Sequence, residues 1–319
     1  MKAGDLLERF QAHDWRALAR AITIVENDGQ EKPLVMRAAY RDAGKDCMVV
    51  GLTGAGGAGK STLVDCLISA YREEGATVGV LAVDPSSPYT GGALLGDRLR
   101  MGRHSGDPGV FIRSFASRGE LGGISQGAKD ALYLYKAFGF DVILLESLGA
   151  GQGETDIRNF TDVTAVVLAP GNGDDIQLAK AGIQEIADIF VLNKMDRPGA
   201  GSLHLQLSAM LDLLPAERRP MLVRTAASKG RGIEELLSAI ESAYARSEGT
   251  RGARERARIE DEIFSGALSR WKEAVKGQVA RLADRVSAGE LTPQEAAALL
   301  GGQIRLGEPF GGGADEEER

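Results

Sequence analysis

Seven short runs rich in β-branched and apolar residues, separated by stretches of helical periodicity, leave few architectures open to this chain. They are "CMVVGLTG" from Cys47, "VGVLAVDP" from Val78, "GVFIRSF" from Gly109, "DVILLES" from Asp141, "VTAVVLAP" from Val163, "DIFVLNK" from Asp188 and "MLVRTAAS" from Met221. Runs this continuously apolar suit strands covered on both faces, and strands that alternate with helices pair in parallel. The expected fold is therefore α/β, a doubly wound, mostly parallel sheet spanning residues 46–250. Ahead of it, residues 1–45 read as a helical extension. In "DWRALARAITIVEN", Trp15, Leu18, Ala19, Ile22 and Val25 recur at helical spacing behind an Asp14 cap.

After Glu248 the strands stop and the composition turns charged. Ile259, Ile263, Ala267, Trp271, Val275, Val279, Leu282 and Val286 then recur every three or four residues, an apolar stripe on a polar rod. That stripe either packs on its own domain or forms a dimerisation arm. "TPQEAAALL" restarts a helix, with Thr292 as cap, Pro293 at the first position and Glu295 closing a capping box. Residues 251–302 thus form a C-terminal helical arm, and the Gly-rich, acidic stretch 303–319 is expected to be disordered.

The first run leads straight into "GAGGAGKS", Gly54 to Ser61, and then into an amphipathic stretch. Strand, glycine loop and helix in that order give the phosphate-loop pattern its required context. Backbone N–H groups of Gly54, Ala55, Gly56, Gly57, Ala58, Gly59 and the helix start, through Thr62, would converge on phosphate oxygens. Lys60 adds a positive charge for the outer phosphates, and the Ser61 hydroxyl can ligate Mg²⁺. Asp84 and Glu146 each end a strand run, and Asp97 lies in the following Gly-rich loop. Mg²⁺ takes few protein ligands, so these three carboxylates cannot all bind it directly at once.

A base preference is written further along. In "DIFVLNKMD", Asn193, Lys194 and Asp196 follow a strand, and a carboxylate there can accept two hydrogens from guanine. Adenine offers no such pair of donors, which argues for GTP and GDP over ATP. The triplet Ala226, Ala227 and Ser228 follows the next strand and could place a backbone amide on the guanine carbonyl. "ESLGAGQGETD", from Glu146, is a loop suited to moving when the γ-phosphate leaves. It contains Gly149 and Gln152, a candidate for orienting the attacking water.

Composition narrows the partners. A formal net charge of −7 makes nucleic acid an unexpected main ligand, and no apolar run approaches a membrane span. Two cysteines without metal-ligand spacing and three scattered histidines support neither a disulfide framework nor a zinc site. The N-terminal stretch lacks the features of a secretory or organelle leader, so a cytoplasmic protein is expected.

Taken together, "GAGGAGKS", "LAVDPSSPYTGGALLGDRLRM", "ILLESLGAGQGETD", "PGNGDDIQLAKAG" and "VLNKMD" resemble the MeaB/ArgK-type GTPases, chaperones associated with methylmalonyl-CoA mutase. The segment from Asp84 to Met101 carries the most specific part of that resemblance. It implies a P-loop GTPase of the signal-recognition and metal-insertion branch, a homodimer built through the C-terminal arm, and an adenosylcobalamin-dependent acyl-CoA mutase as partner. Glu146 and Gln152 then join Lys60 as candidate catalytic residues, while Gly149, Asp174, Gln177 and Lys180 become candidates for switch signalling. Two other readings remain: a GTPase for nickel-centre assembly, which a His-rich tract would support, and an ATPase or kinase linked to amino-acid transport.

Overall fold

The computed structural model describes residues 3–43, 47–84, 102–104, 106–116, 124–148, 157–171 and 186–301. Asp97, Gly149, Gln152, Asp174, Gln177 and Lys180 lie outside them, as does the segment 303–319. The chain divides into two compact units, Met1–Glu255 and Arg256–Arg319.

The first unit is built on seven parallel strands: β1 (Met48–Thr53), β2 (Val78–Asp84), β3 (Val110–Ala116), β4 (Val142–Glu146), β5 (Val163–Leu168), β6 (Ile189–Leu192) and β7 (Met221–Arg224). Each expected run supplies one strand. Their order across the sheet is β3-β2-β4-β1-β5-β6-β7. From β1 the chain first builds one side of the sheet and then crosses to the other with β5. A doubly wound sheet binds its ligand outside the carboxyl ends of the strands, at such a reversal of direction.

Helices cover both faces, as the unbroken apolar strands require. Three of them, α1 (Ala3–Gln11), α2 (Trp15–Glu26) and α3 (Lys32–Asp42), come from the N-terminal segment. Asp14 caps α2 by accepting from Arg16 N at 2.8 Å. Leu18, Ile22, Val25 and Val35 are buried in one core with Leu132, Tyr135 and Phe138 of α5 (Gln126–Phe138). Glu26 accepts from Arg113 of β3 at 2.8 Å, and Lys32 pairs with the buried Asp130 at 2.7 Å. The N-terminal helices therefore complete the core of the first unit. The opposite face is covered by α4 (Lys60–Glu73) and the start of α7 (Ile233–Ser287), whose Leu63, Leu67, Leu236 and Ile240 are fully buried. Between β6 and β7 lies α6 (Ala200–Asp212).

The helix α7 (Ile233–Ser287) begins well before the charged segment that sequence reading took as its start. Gly249 and Gly252 fall inside it. The second unit consists, among the described residues, of the later part of α7 and α8 (Pro293–Gly301). Thr292 and Glu295 make the expected capping box: Glu295 Oε2 accepts from Thr292 N at 2.8 Å, and Glu295 N donates to Thr292 Oγ1 at 3.2 Å.

One strand position sets the seat of α5. Gly79 of β2 lies under Tyr135, and a Cβ there would come within 2.4 Å of its Cδ1 and 2.8 Å of its Cε1. Tyr135 is fully buried and its hydroxyl donates to Val80 O at 3.1 Å, so the ring has nowhere to retreat. Gly79→Ala is expected to destabilise the protein by about 2 kcal/mol through overpacking. A fall in the urea midpoint at unchanged slope would show it; an unchanged midpoint would mean that α5 can lift off β2 without loss.

Candidate nucleotide site

β1 ends at Thr53, and the chain turns through the glycine loop into α4. Gly54 takes φ +133°, and a Cβ there would stand 2.1 Å from Val167 O, so the loop lies directly against β5. Gly57 and Gly59 also take positive φ, and α4 starts at Lys60 immediately after Gly59. The N–H groups of the first helical turn have no carbonyl partner within the helix, which makes this end a seat for anions.

Lys60 is buried and folds back over the loop, donating to Gly54 O at 2.7 Å and Ala55 O at 3.3 Å. Ser61 Oγ donates to Glu146 Oε1 at 2.7 Å, which joins the start of α4 to the end of β4. Asp84, at the end of β2, lines the same cavity of about 360 Å³ with Lys60, Ser61, Thr62, Glu146 and Lys194. Asp84 and Glu146 are only 5% and 4% exposed. A hydroxyl and two carboxylates at one cavity wall are hard oxygen donors, and with phosphate oxygens and water they suit Mg²⁺. Among the described residues no three His, Cys, Asp or Glu side chains form a protein-only metal cluster.

The second half of the site comes from β6 and β7. Asn193 is 2% exposed and holds three segments together. Its Nδ2 donates to Ala58 O at 3.0 Å, while its Oδ1 accepts from Thr225 Oγ1 and from Ala227 N, each at 3.1 Å. Asn193 thus fastens the phosphate loop to the segment after β7. The Ala227 amide, which the sequence could place on the guanine carbonyl, donates here to Asn193 Oδ1. Ala226 and Ala227 are buried, and Ser228 is exposed in the turn that follows. Lys194, at φ +57°, donates to Gly57 O at 2.5 Å.

Asp196 pairs with Lys229 at 2.8 Å, and that ammonium holds its carboxyl below the usual carboxylate range. Asp196 is therefore ionised at neutral pH and acts only as an acceptor. Sequence reading did not single out Lys229. A basic residue in the turn of "TAASKG" was the available signal, but the pairing depends on how that turn returns over β6. The structure brings together Gly54 to Thr62, Asp84, Glu146, Asn193, Lys194, Asp196 and the Ala226 to Ser228 turn, all at the carboxyl ends of the strands. Asp97 and the switch candidates fall outside the described residues.

Known proteins share this arrangement. A relative from Pyrococcus abyssi is 44% identical across 98% of this chain and 99% of its own length. The GTPase ArgK of Escherichia coli K12 is 36% identical over 74% of each chain. Among solved structures, one described as a LAO/AO transport system kinase superposes with a TM-score of 0.69 at 24% identity, covering 94% of this chain and 96% of its own, and shares the fold. Residues 18–280 match the family described as methylmalonyl Co-A mutase-associated GTPase MeaB, which takes in the sheet, the glycine loop and the guanine motif together. This chain therefore belongs to the MeaB family of P-loop GTPases.

Proposed function

We propose that this chain hydrolyses GTP and serves as a chaperone for an adenosylcobalamin-dependent acyl-CoA mutase of the methylmalonyl-CoA type, in the cytoplasm, coupling nucleotide turnover to loading or protection of the mutase cofactor. The observation that carries the nucleotide half is the Asn193 link between the phosphate loop and the base-reading segment. The mutase half is supported by the family description.

In this reading Lys60 leaves the carbonyls of Gly54 and Ala55 for the β- and γ-phosphates, where its charge offsets what develops during transfer. Ser61, with Asp84 and Glu146 directly or through water, would hold Mg²⁺, which when bound supplies further charge neutralisation at those phosphates. Asp196 accepts from guanine N1 and the exocyclic amine. Gly149, Gln152, Asp97, Asp174, Gln177 and Lys180 keep the hydrolytic and switch roles that the family resemblance implies. The exposed Ile263 and Phe264 of α7, with Ile259 and Val279 partly open, suit a covering second copy, so the protein acts as a homodimer.

The test is the hydrolysis rate of the pure protein with GTP or ATP, alone and with each cobalamin-dependent acyl-CoA mutase of the source organism. GTP should be consumed and ATP left intact, and one mutase should raise the GTP rate. Turnover of ATP would refute the nucleotide assignment; a GTP rate indifferent to every mutase would refute the chaperone assignment.

A further inference from the structure

A second cavity, of about 820 Å³, opens in the first unit at the amino ends of β6 and β7, beside Asp188 and Pro220. It lies at the opposite end of the strands from the nucleotide site. Five arginines line it, Arg158, Arg218, Arg219, Arg246 and Arg254, against two carboxylates, Asp188 and Glu217. Such an excess of positive charge is unexpected in a chain whose net charge is −7, because like charges crowded together oppose folding.

Two of the arginines have structural duties. Arg158 pairs with Asp188, which also accepts from Thr164 N at 2.8 Å, and Arg219 donates to Asp212 Oδ1 at 2.9 Å. The guanidinium groups of Arg218, Arg246 and Arg254 make no ion pair or hydrogen bond among the described residues. Arg254 is the most constrained of them. Its Nη1 is shut off from solvent without a hydrogen-bond partner. Burial first, and then the nearby Arg158 charge, push its guanidinium below the ordinary arginine value against the smaller opposing pull of Asp188 and Asp162. A buried donor left unsatisfied beside a like charge is costly unless an anion completes it.

We propose that this cavity binds a small organic anion bearing phosphoryl groups, independently of the nucleotide at the glycine loop. Guanidinium groups are planar forks that match phosphate oxygens two at a time, and three of them stand uncommitted here. The volume is that of a small-molecule site, and Leu214, Pro215 and Ala243 give it apolar wall for the organic part.

The probe is inorganic pyrophosphate, titrated calorimetrically at 0.15 M salt into full-length protein saturated with a fluorescent GDP analogue, whose signal reports that the nucleotide stays in place. One pyrophosphate per chain is expected, weakened at least tenfold in Arg246→Ala/Arg254→Ala. Arg218→Ala, at an exposed position that should not disturb folding, is expected to weaken it severalfold with GDP affinity unchanged. Absence of binding, equal binding by the variants, or equal binding of citrate, which carries charge without phosphoryl groups, would each overturn the proposal.

Discussion

Gly59→Ala is expected to lower GDP affinity by two to three orders of magnitude while leaving the sheet folded. Gly59 takes φ +99°, where an L side chain is strained by roughly 1–2 kcal/mol. The larger effect is steric: a Cβ would stand 2.3 Å from Asn193 Nδ2. A free side chain could swing away from such a contact. Asn193 cannot, because Ala58 O, Thr225 Oγ1 and Ala227 N hold its amide from both ends. Moving it gives up buried hydrogen bonds worth about 1–3 kcal/mol each when a partner is stranded. Together these effects amount to roughly 3–5 kcal/mol, at about 1.4 kcal/mol per decade of affinity. Titration with a fluorescent GDP analogue measures the loss, and far-ultraviolet circular dichroism checks the fold. Near-normal affinity would mean that Asn193 is not the rigid link between the two halves of the site.

The strands could be read from the sequence because burial on both faces leaves little room for polar residues, and each apolar run became one strand. Their order could not, since β1 lies between β4 and β5 through pairings that no local pattern encodes. The N-terminal helices were readable from Leu18, Ile22 and Val25, but their seat on α5 joins residues about a hundred positions apart and was not. The start of α7 was misplaced. The sequence places the start at the charged composition after Glu248, yet the helix already begins at Ile233 and continues through Gly249 and Gly252, each costing about 1 kcal/mol in a helix. In the site, the glycine loop and the Asn193 to Asp196 motif were legible because phosphate and guanine demand fixed groups at short spacing. Lys229 was not, because its link to Asp196 is made by a turn returning from β7. The arginine cavity gathers Arg158, Arg218 and Arg254 from well-separated segments, so it is visible only once the chain is folded.

Asp196→Asn is expected to reverse the base preference of the site. The Asp196 carboxylate, kept ionised by Lys229 at 2.8 Å, offers only acceptors, and guanine presents two donors to it, N1–H and the exocyclic amine. Asparagine keeps one acceptor and replaces the other with an NH₂ that meets the guanine amine donor to donor. The loss of a charge-assisted bond, about 1.5–3 kcal/mol, is joined by an unsatisfied pair costing roughly another 1–3 kcal/mol. GDP affinity should therefore fall by about two to four orders of magnitude. Xanthine carries a carbonyl where guanine carries that amine, so the new NH₂ has an acceptor to meet, and xanthosine diphosphate should bind the variant more tightly than GDP does. Competition of both nucleotides against a fluorescent GDP analogue on wild-type protein, and against a fluorescent xanthosine analogue on the variant, gives the two ratios. Because Asp196 is outside the hydrogen bonds that Asn193 makes, the thermal midpoint of the nucleotide-free variant should stay near wild type, which separates altered recognition from a damaged site. A variant that still prefers GDP would remove Asp196 from base recognition and leave its pairing with Lys229 as its only role.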